Sequence, residues 1–241
     1  MFSYIYHTFI FDPLYNGLIF LFDTFPWLDA GFAVIIFTVA VRLILFPLSK
    51  KSVITQVRMK EIEPELNLIK QNTPDRQQQA LKVMDLYKRK GVNPFSSFFL
   101  LFLQLPIIWA LYHIFVNSGL PMVDASKLYS FVNVPVIDMS FLNYFDISVR
   151  SIFLSVVASI AQFLQLHYSV SANPQGGSSS NPNMNAAMDM MKNMKYIFPV
   201  MIFFISYQVS AVVAIYWTVS SLFTLGQELV VRRHIKKHMP L

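Results

Sequence analysis

The 241-residue chain contains no cysteine, and only 13% of its residues are charged, against about 25% in ordinary soluble domains. The first absence excludes disulfides, thiolate metal sites and an N-terminal lipid-attachment cysteine, and it leaves the compartment unread. The second is matched by an excess of apolar residues: 55% are hydrophobic and the mean hydropathy is +0.49. A polytopic membrane protein is the class these values allow. The first fifteen residues hold no Lys or Arg, so a cleaved signal peptide with a basic n-region is not expected. Catalytic patterns are also lacking. No GxSG or GxGD occurs, and no Asp lies inside the main apolar runs, which argues against an intramembrane protease. His113 and His167 stand alone, and His234 and His238 fit a solvated basic tail better than a metal pair. The chain is therefore read as a non-enzyme with no metal and no cofactor.

What is present is a series of apolar runs. The expected fold is an all-α integral membrane protein of five transmembrane helices, with a cytoplasmic helical hairpin between the first two. The spans are placed at 31–48, 95–117, 149–169, 196–207 and 209–230, each judged by length against the bilayer core. The fourth is short and holds Pro199; it can borrow a turn from the stretch before it. Residues 1–30 form an N-terminal extracytoplasmic or interfacial piece, because Asp12, Pro13 and Gly17 interrupt the apolar segment 8–22. Segment 118–148 is an extracytoplasmic loop, 170–195 a cytoplasmic linker with a Met-rich segment, and 231–241 a basic cytoplasmic tail. Basic residues set the orientation. Residues 1–30 hold no Lys or Arg, 49–94 hold ten, loop 118–148 holds only Lys127, and the tail holds four. The positive-inside rule then puts the N-terminus outside and the C-terminus inside.

Segment 49–94 is too charged to be buried and too regular to be a loose loop. Ile54, Val57, Ile62, Leu66 and Ile69 recur near helical spacing, as do Ala80, Leu81, Met84 and Tyr87. Pro64 predicts a kink or restart in the first helix. Thr73 is a candidate cap, with Pro74 at the first helical position and Asp75 facing the helix N-terminus. Gly91 fits a helix C-cap. Two readings stay open: a solvated connector, or a docking arm for a ribosome, a nascent chain or a targeting factor. Ten basic and five acidic residues permit contact with RNA or anionic lipid.

Arg42 stands out inside the run Gly31–Leu48. An arginine in the middle of a span costs about 2.5–3.5 kcal/mol on insertion scales. It is retained where it faces water, an anion or both, or where it snorkels to the interface, six residues before Leu48. Gln104, Gln162, Gln165, Trp217, Ser220 and Ser221 are further candidates for lining a polar groove; the same residues also fit as interhelical glue. Tyr216 and Trp217 fit equally as packing aromatics. Pro106 frees a backbone carbonyl that either faces the groove or merely marks a kink.

Five stretches, taken together and in order, resemble the YidC/Oxa/Alb family of membrane protein insertases, in a compact bacterial form. They are Thr38-Val39-Ala40-Val41-Arg42-Leu43 running to Phe46-Pro47-Leu48; Glu63-Pro64-Glu65; Leu86-Tyr87-Lys88 through Gly91-Val92-Asn93-Pro94; Leu103-Gln104-Leu105-Pro106-Ile107; and Ile215-Tyr216-Trp217 followed by Ser220-Ser221-Leu222. The resemblance covers residues 12 to 235. It departs in lacking a large extracytoplasmic domain and in carrying Gln208-Val209-Ser210 where the family often has a glycine turn. It implies a polar groove open to the cytoplasm and to lipid, with Arg42 as the family's groove arginine. Its implied partners are nascent membrane proteins and membrane lipids, with the ribosome, the signal recognition particle receptor and the Sec translocon as further candidates; DNA is not among them. The implied location is the bacterial cytoplasmic membrane. Insertion needs no nucleotide, because burying an apolar segment is downhill and only the polar flank must be helped across. The alternative is a small anion channel or transporter, although five unequal spans without an internal repeat speak against a transporter.

Met184, Met188, Met191 and Met194 share one helical face beyond a flexible linker at 173–183. They read either as a soft surface for apolar segments or as an extension of the fourth span.

Overall fold

The computed structural model describes Tyr4 and residues 6–93, 96–117, 120–171 and 182–238. Among them the chain is helical almost throughout, with one two-stranded hairpin. It divides into two compact units.

The first unit holds residues 1–45, 101–162 and 199–223. A π-helical turn, His7–Phe11, leads into α1 (Asp12–Thr24), with Pro13 in its first turn. Proline is tolerated there because the first-turn amides have no intrahelical acceptor. Asp12 and Pro13 thus start a helix rather than interrupt one. Tyr15, Leu18, Ile19 and Phe22 are buried along one stripe of α1, at the spacing of an amphipathic helix. α2 (Ala30–Ile44) packs against it. Asp29 caps α2 by accepting from the Phe32 amide at 2.8 Å, and its other oxygen accepts from Leu142 N at 3.1 Å. The segment 120–150 is stitched to α1 by polar contacts. Asn16 donates to Lys127 O at 3.0 Å and accepts from Tyr129 N at 2.6 Å, while the Tyr15 hydroxyl accepts from Asp124 N at 3.0 Å. This segment carries the antiparallel strands β1 (Ser140–Phe141) and β2 (Phe145–Asp146). Leu142 and Asn143 make the turn between them with positive φ. The Phe141 ring lies directly over Gly31, where a Cβ would collide with it.

α6 (Ser96–Tyr112) keeps Pro106 within it and runs into a π-helical turn, His113–Asn117. α7 (Ile152–Ser171) begins where Ser151 Oγ accepts from Leu154 N at 3.3 Å. α8 (Pro182–Val209) is one helix of 28 residues with Pro199 inside, much longer than the expected 196–207. Ser159 of α7 donates to the Pro199 carbonyl at 2.9 Å, and the small buried Ala158 and Ala161 keep α7 close to its neighbours. Ser210 separates α8 from α9 (Ala211–His238). The first amides of α9 are satisfied from outside the helix: Ala211 N donates to Val149 O at 2.9 Å and Val212 N to Ile147 O at 3.2 Å.

The second unit holds 46–100, 163–198 and 224–241. α2 ends at Ile44 and α3 (Phe46–Glu61) starts anew, so the apolar run 31–48 is not one continuous helix. Pro47 supplies the reason: it has no amide to donate to Leu43, so it sits in the first turn of a fresh helix. Val53 of α3 packs with Val231 and Ile235 near the end of α9. Gln227 Nε2 donates to Ser49 Oγ at 2.6 Å and to Phe46 O at 3.3 Å. α4 (Glu63–Asn72) restarts at Pro64, as the sequence predicts, and α5 (Arg76–Lys90) returns antiparallel to it. The pairing is set by a core of Ile62, Leu66, Leu86 and Val92, with Lys90 paired to Glu65 and Gln79 donating to Lys70 O at 3.0 Å. The α5 cap is Asp75, which accepts from Gln77 N at 3.0 Å. Thr73, the expected cap, instead accepts from Lys82 Nζ at 3.1 Å. Gly91 closes α5 in the left-handed region at φ 62°.

By length and composition, among the described residues, Ile152–Ser169 is long and apolar enough to cross a membrane by itself. α2 and α3 pass that test only as a broken pair, and Gln104–Phe115 and Lys195–Val209 are apolar but shorter. The linker residues 173–181 and the side chains of the methionine face lie outside the described residues.

Candidate functional site

The polar residues of the first unit meet on α9. Arg42 lies in the last turn of α2, where a positive charge is favoured by the helix C-terminus. Its Nε donates to Ser220 Oγ at 2.8 Å, and Nη2 donates to Gln104 Oε1 at 2.9 Å and also to Ser220 Oγ. Gln104, on α6, uses its amide nitrogen to donate to the Tyr216 hydroxyl. A second cluster adjoins this one in sequence. Trp217 Nε1 donates to Gln162 Oε1 at 2.7 Å, and Ser221 Oγ donates to the same oxygen at 3.0 Å.

The spacing of α9 explains the arrangement. Tyr216 and Ser220 form one i, i+4 pair, and Trp217 and Ser221 form another, so each pair lines one stripe of the helix. The first stripe meets Arg42 and Gln104; the second meets Gln162 of α7. Tyr216, Trp217, Ser220, Ser221 and Gln162 are buried, whereas Arg42 and Gln104 are half-buried. One turn before Arg42, Thr38 is buried but bonds back to Val34 O at 2.6 Å, so it presents no free hydroxyl to the cluster.

The structure thus brings together Arg42, Gln104, Gln162, Trp217, Ser220 and Ser221 within one unit. Gln165 is half-buried and lies one turn further along α7, in the second unit. Tyr216, read from sequence as a packing aromatic, is a hydrogen-bonding member of the cluster. The signal for it was its position four residues before Ser220.

Electrostatically, the cluster is cationic. Among the described residues no carboxylate pairs with Arg42; its partners are two neutral side chains. Such a guanidinium carries a charge that no carboxylate offsets among the described residues, and it is a donor-only group with five N–H groups. Such a group attracts an anion, and Arg presents a planar fork matched to carboxylate. The arrangement offers no nucleophile with an adjacent base, and among the described residues no three His, Cys, Asp or Glu side chains gather to hold a metal.

A family model described as 60Kd inner membrane protein matches residues 21–238. A membrane protein insertase YidC of Clostridium tetani is 33% identical over 219 residues, covering 89% of this chain and 87% of the relative. A membrane protein insertase YidC of Fusobacterium nucleatum is 31% identical over 229 residues, 94% of this chain and 98% of the relative. The protein of the same name in Treponema denticola is 29% identical over 222 residues, which are 86% of this chain and 35% of that longer protein.

Proposed function

The chain belongs to the 60Kd inner membrane protein family, that of the YidC membrane protein insertases, and from this premise we propose that it inserts nascent membrane proteins into the bacterial inner membrane through the Arg42 cluster. The observation that carries the reading is the guanidinium of Arg42, fixed by Ser220 and Gln104 with no carboxylate partner among the described residues. A polar, acidic flank of a substrate faces a steep desolvation cost in hydrocarbon. A fixed positive charge among hydroxyls and amides lowers that cost by replacing part of the lost hydration. The substrate's apolar segment then moves into lipid along the exposed apolar surface of the helices, such as Leu43 and Ile44 next to Arg42. That transfer is downhill, so the protein acts without covalent chemistry, as an insertion factor rather than an enzyme.

The topology belonging to this reading has five spans, with the N-terminus outside and the C-terminus inside, supported by the concentration of basic residues in 49–94 and after 230. The groove around Arg42 opens to the cytoplasm and to lipid. Gln162 and Trp217 line its continuation. The hairpin of α4 and α5 then faces the cytoplasm, where its basic surface suits contact with a ribosome, the signal recognition particle receptor or the Sec translocon. Site-specific photocrosslinking tests the groove. With an aromatic photoprobe replacing Trp217, a single-span substrate stalled midway is expected to crosslink there. Crosslinks from a probe at the exposed Ile44, with none from position 217, would overturn the groove and leave insertion along the lipid face alone.

A further inference from the structure

Arg42 has a rotatable side chain of four bonds, yet a chain of hydrogen bonds holds it. Nε donates to Ser220 Oγ at 2.8 Å, Nη2 donates to Gln104 Oε1 at 2.9 Å, and Gln104 Nε2 donates in turn to the Tyr216 hydroxyl. Three helices contribute: α2, α6 and α9. Gln104 makes two bonds in this chain, and they use opposite ends of its amide. An amide turned by a half-rotation would present N–H groups to the guanidinium, donor against donor, and repel it. The guanidinium therefore fixes which end of the amide faces it, and the phenol oxygen of Tyr216 anchors the other end. Tyr216 is buried and does not touch Arg42 in any hydrogen bond given above, so its hydroxyl acts at one remove.

We propose that Tyr216 is a positioning residue: its hydroxyl anchors the far end of the Gln104 amide, and so holds the Arg42 guanidinium ready for an acidic substrate flank. The inference rests on the insertase reading of the Arg42 cluster. A preorganised charge acts at no reorganisation cost when the anion arrives, whereas a loose arginine must first be ordered. The Tyr216 contact should therefore matter only for substrates that use the charge. A substrate with a neutral flank does not call on it.

The test is insertion into liposomes reconstituted with the full chain, comparing wild type, Tyr216→Phe and Arg42→Ala on two single-span substrates that differ only in an acidic or a neutral N-terminal flank. Phenylalanine keeps the ring and its packing and removes one hydroxyl. Tyr216→Phe is expected to slow insertion of the acidic-flank substrate by roughly three- to tenfold, the scale of one hydrogen bond, and to leave the neutral-flank substrate unchanged. Combined with Arg42→Ala, it is expected to add no further loss. A general folding role would slow both substrates alike, and that result overturns the proposal, as does full activity of Tyr216→Phe on both while Arg42→Ala fails on the acidic one. Should Arg42→Ala itself insert the acidic-flank substrate at the wild-type rate, the charge-based reading of the site falls, and the positioning role with it.

Discussion

Arg42 and Gln162 illustrate two ways of placing polar groups where apolar ones are the rule. Around Arg42 the hydrogen-bond partners among the described residues are neutral, and in the proposed reading the charge meets the substrate's flank. Around Gln162 the bonds are internal: one carbonyl oxygen accepts from both the Trp217 indole and the Ser221 hydroxyl. Replacing Gln162 with Leu removes the acceptor and strands two buried donors, at a cost of about 1–3 kcal/mol each. The variant is expected to unfold at a clearly lower temperature in detergent, and an unchanged transition would contradict the network. Away from the site, Asp124 shows a carboxylate stabilised by local donors. The Ser126 hydroxyl, Lys127 and the Ser126 amide, in the first place the hydroxyl, lower its pKa to about 2. The folded value lies below the ordinary Asp value of about 3.9. Whatever stability Asp124 lends its turn is therefore complete above that range and is lost as pH falls through about 2. A carboxyl-carbon NMR titration is expected to find its midpoint there; a midpoint near 4 would mean the turn is not formed.

Among the helices, those with local punctuation were legible from sequence. Gly91 ends α5 because only a residue free of a Cβ clash settles readily at φ 62°, and Pro64 restarts the chain as α4. The cap of α5 was misplaced by two residues: Thr73 and Asp75 are both competent, and the backbone uses Asp75. The break at Leu45 was hidden by the hydrophobicity of the run around it, although Pro47 carries its cause. α8 extends well before residue 196 because its first turns are polar, so hydropathy marks only the end of the helix. In the site, residue type pointed to Arg42 and the glutamines, since charge and amides are conspicuous in apolar runs. Tyr216 was the weaker signal, marked only by its position four residues before Ser220, because an aromatic suits packing equally well and only the fold shows that its hydroxyl meets Gln104. The hairpin of α4 and α5 offers a prediction at this scale. Leu86 is fully buried in its small core, and truncation of such a side chain costs about 2–5 kcal/mol. Leu86→Ala is expected to make residues 62–92 the first site of limited proteolysis, and unchanged protease resistance would show that the hairpin is held by something other than this core.

In the molecule as a whole, the two units hold different features. The first contains the Arg42 and Gln162 clusters, together with the segment 120–150 that is bonded to α1. The second contains the basic hairpin and the ends of α7 and α9, where Gln227 ties α9 to the start of α3. The chain belongs to the YidC insertase family, and in the proposed reading the first unit receives the polar flank of a substrate. The most direct measurement is insertion of a short single-span protein with an acidic N-terminal flank into liposomes containing only this chain. The account predicts that wild type inserts it and that Arg42→Ala does not. Equal insertion by both would contradict the claim that the Arg42 charge carries the flank across.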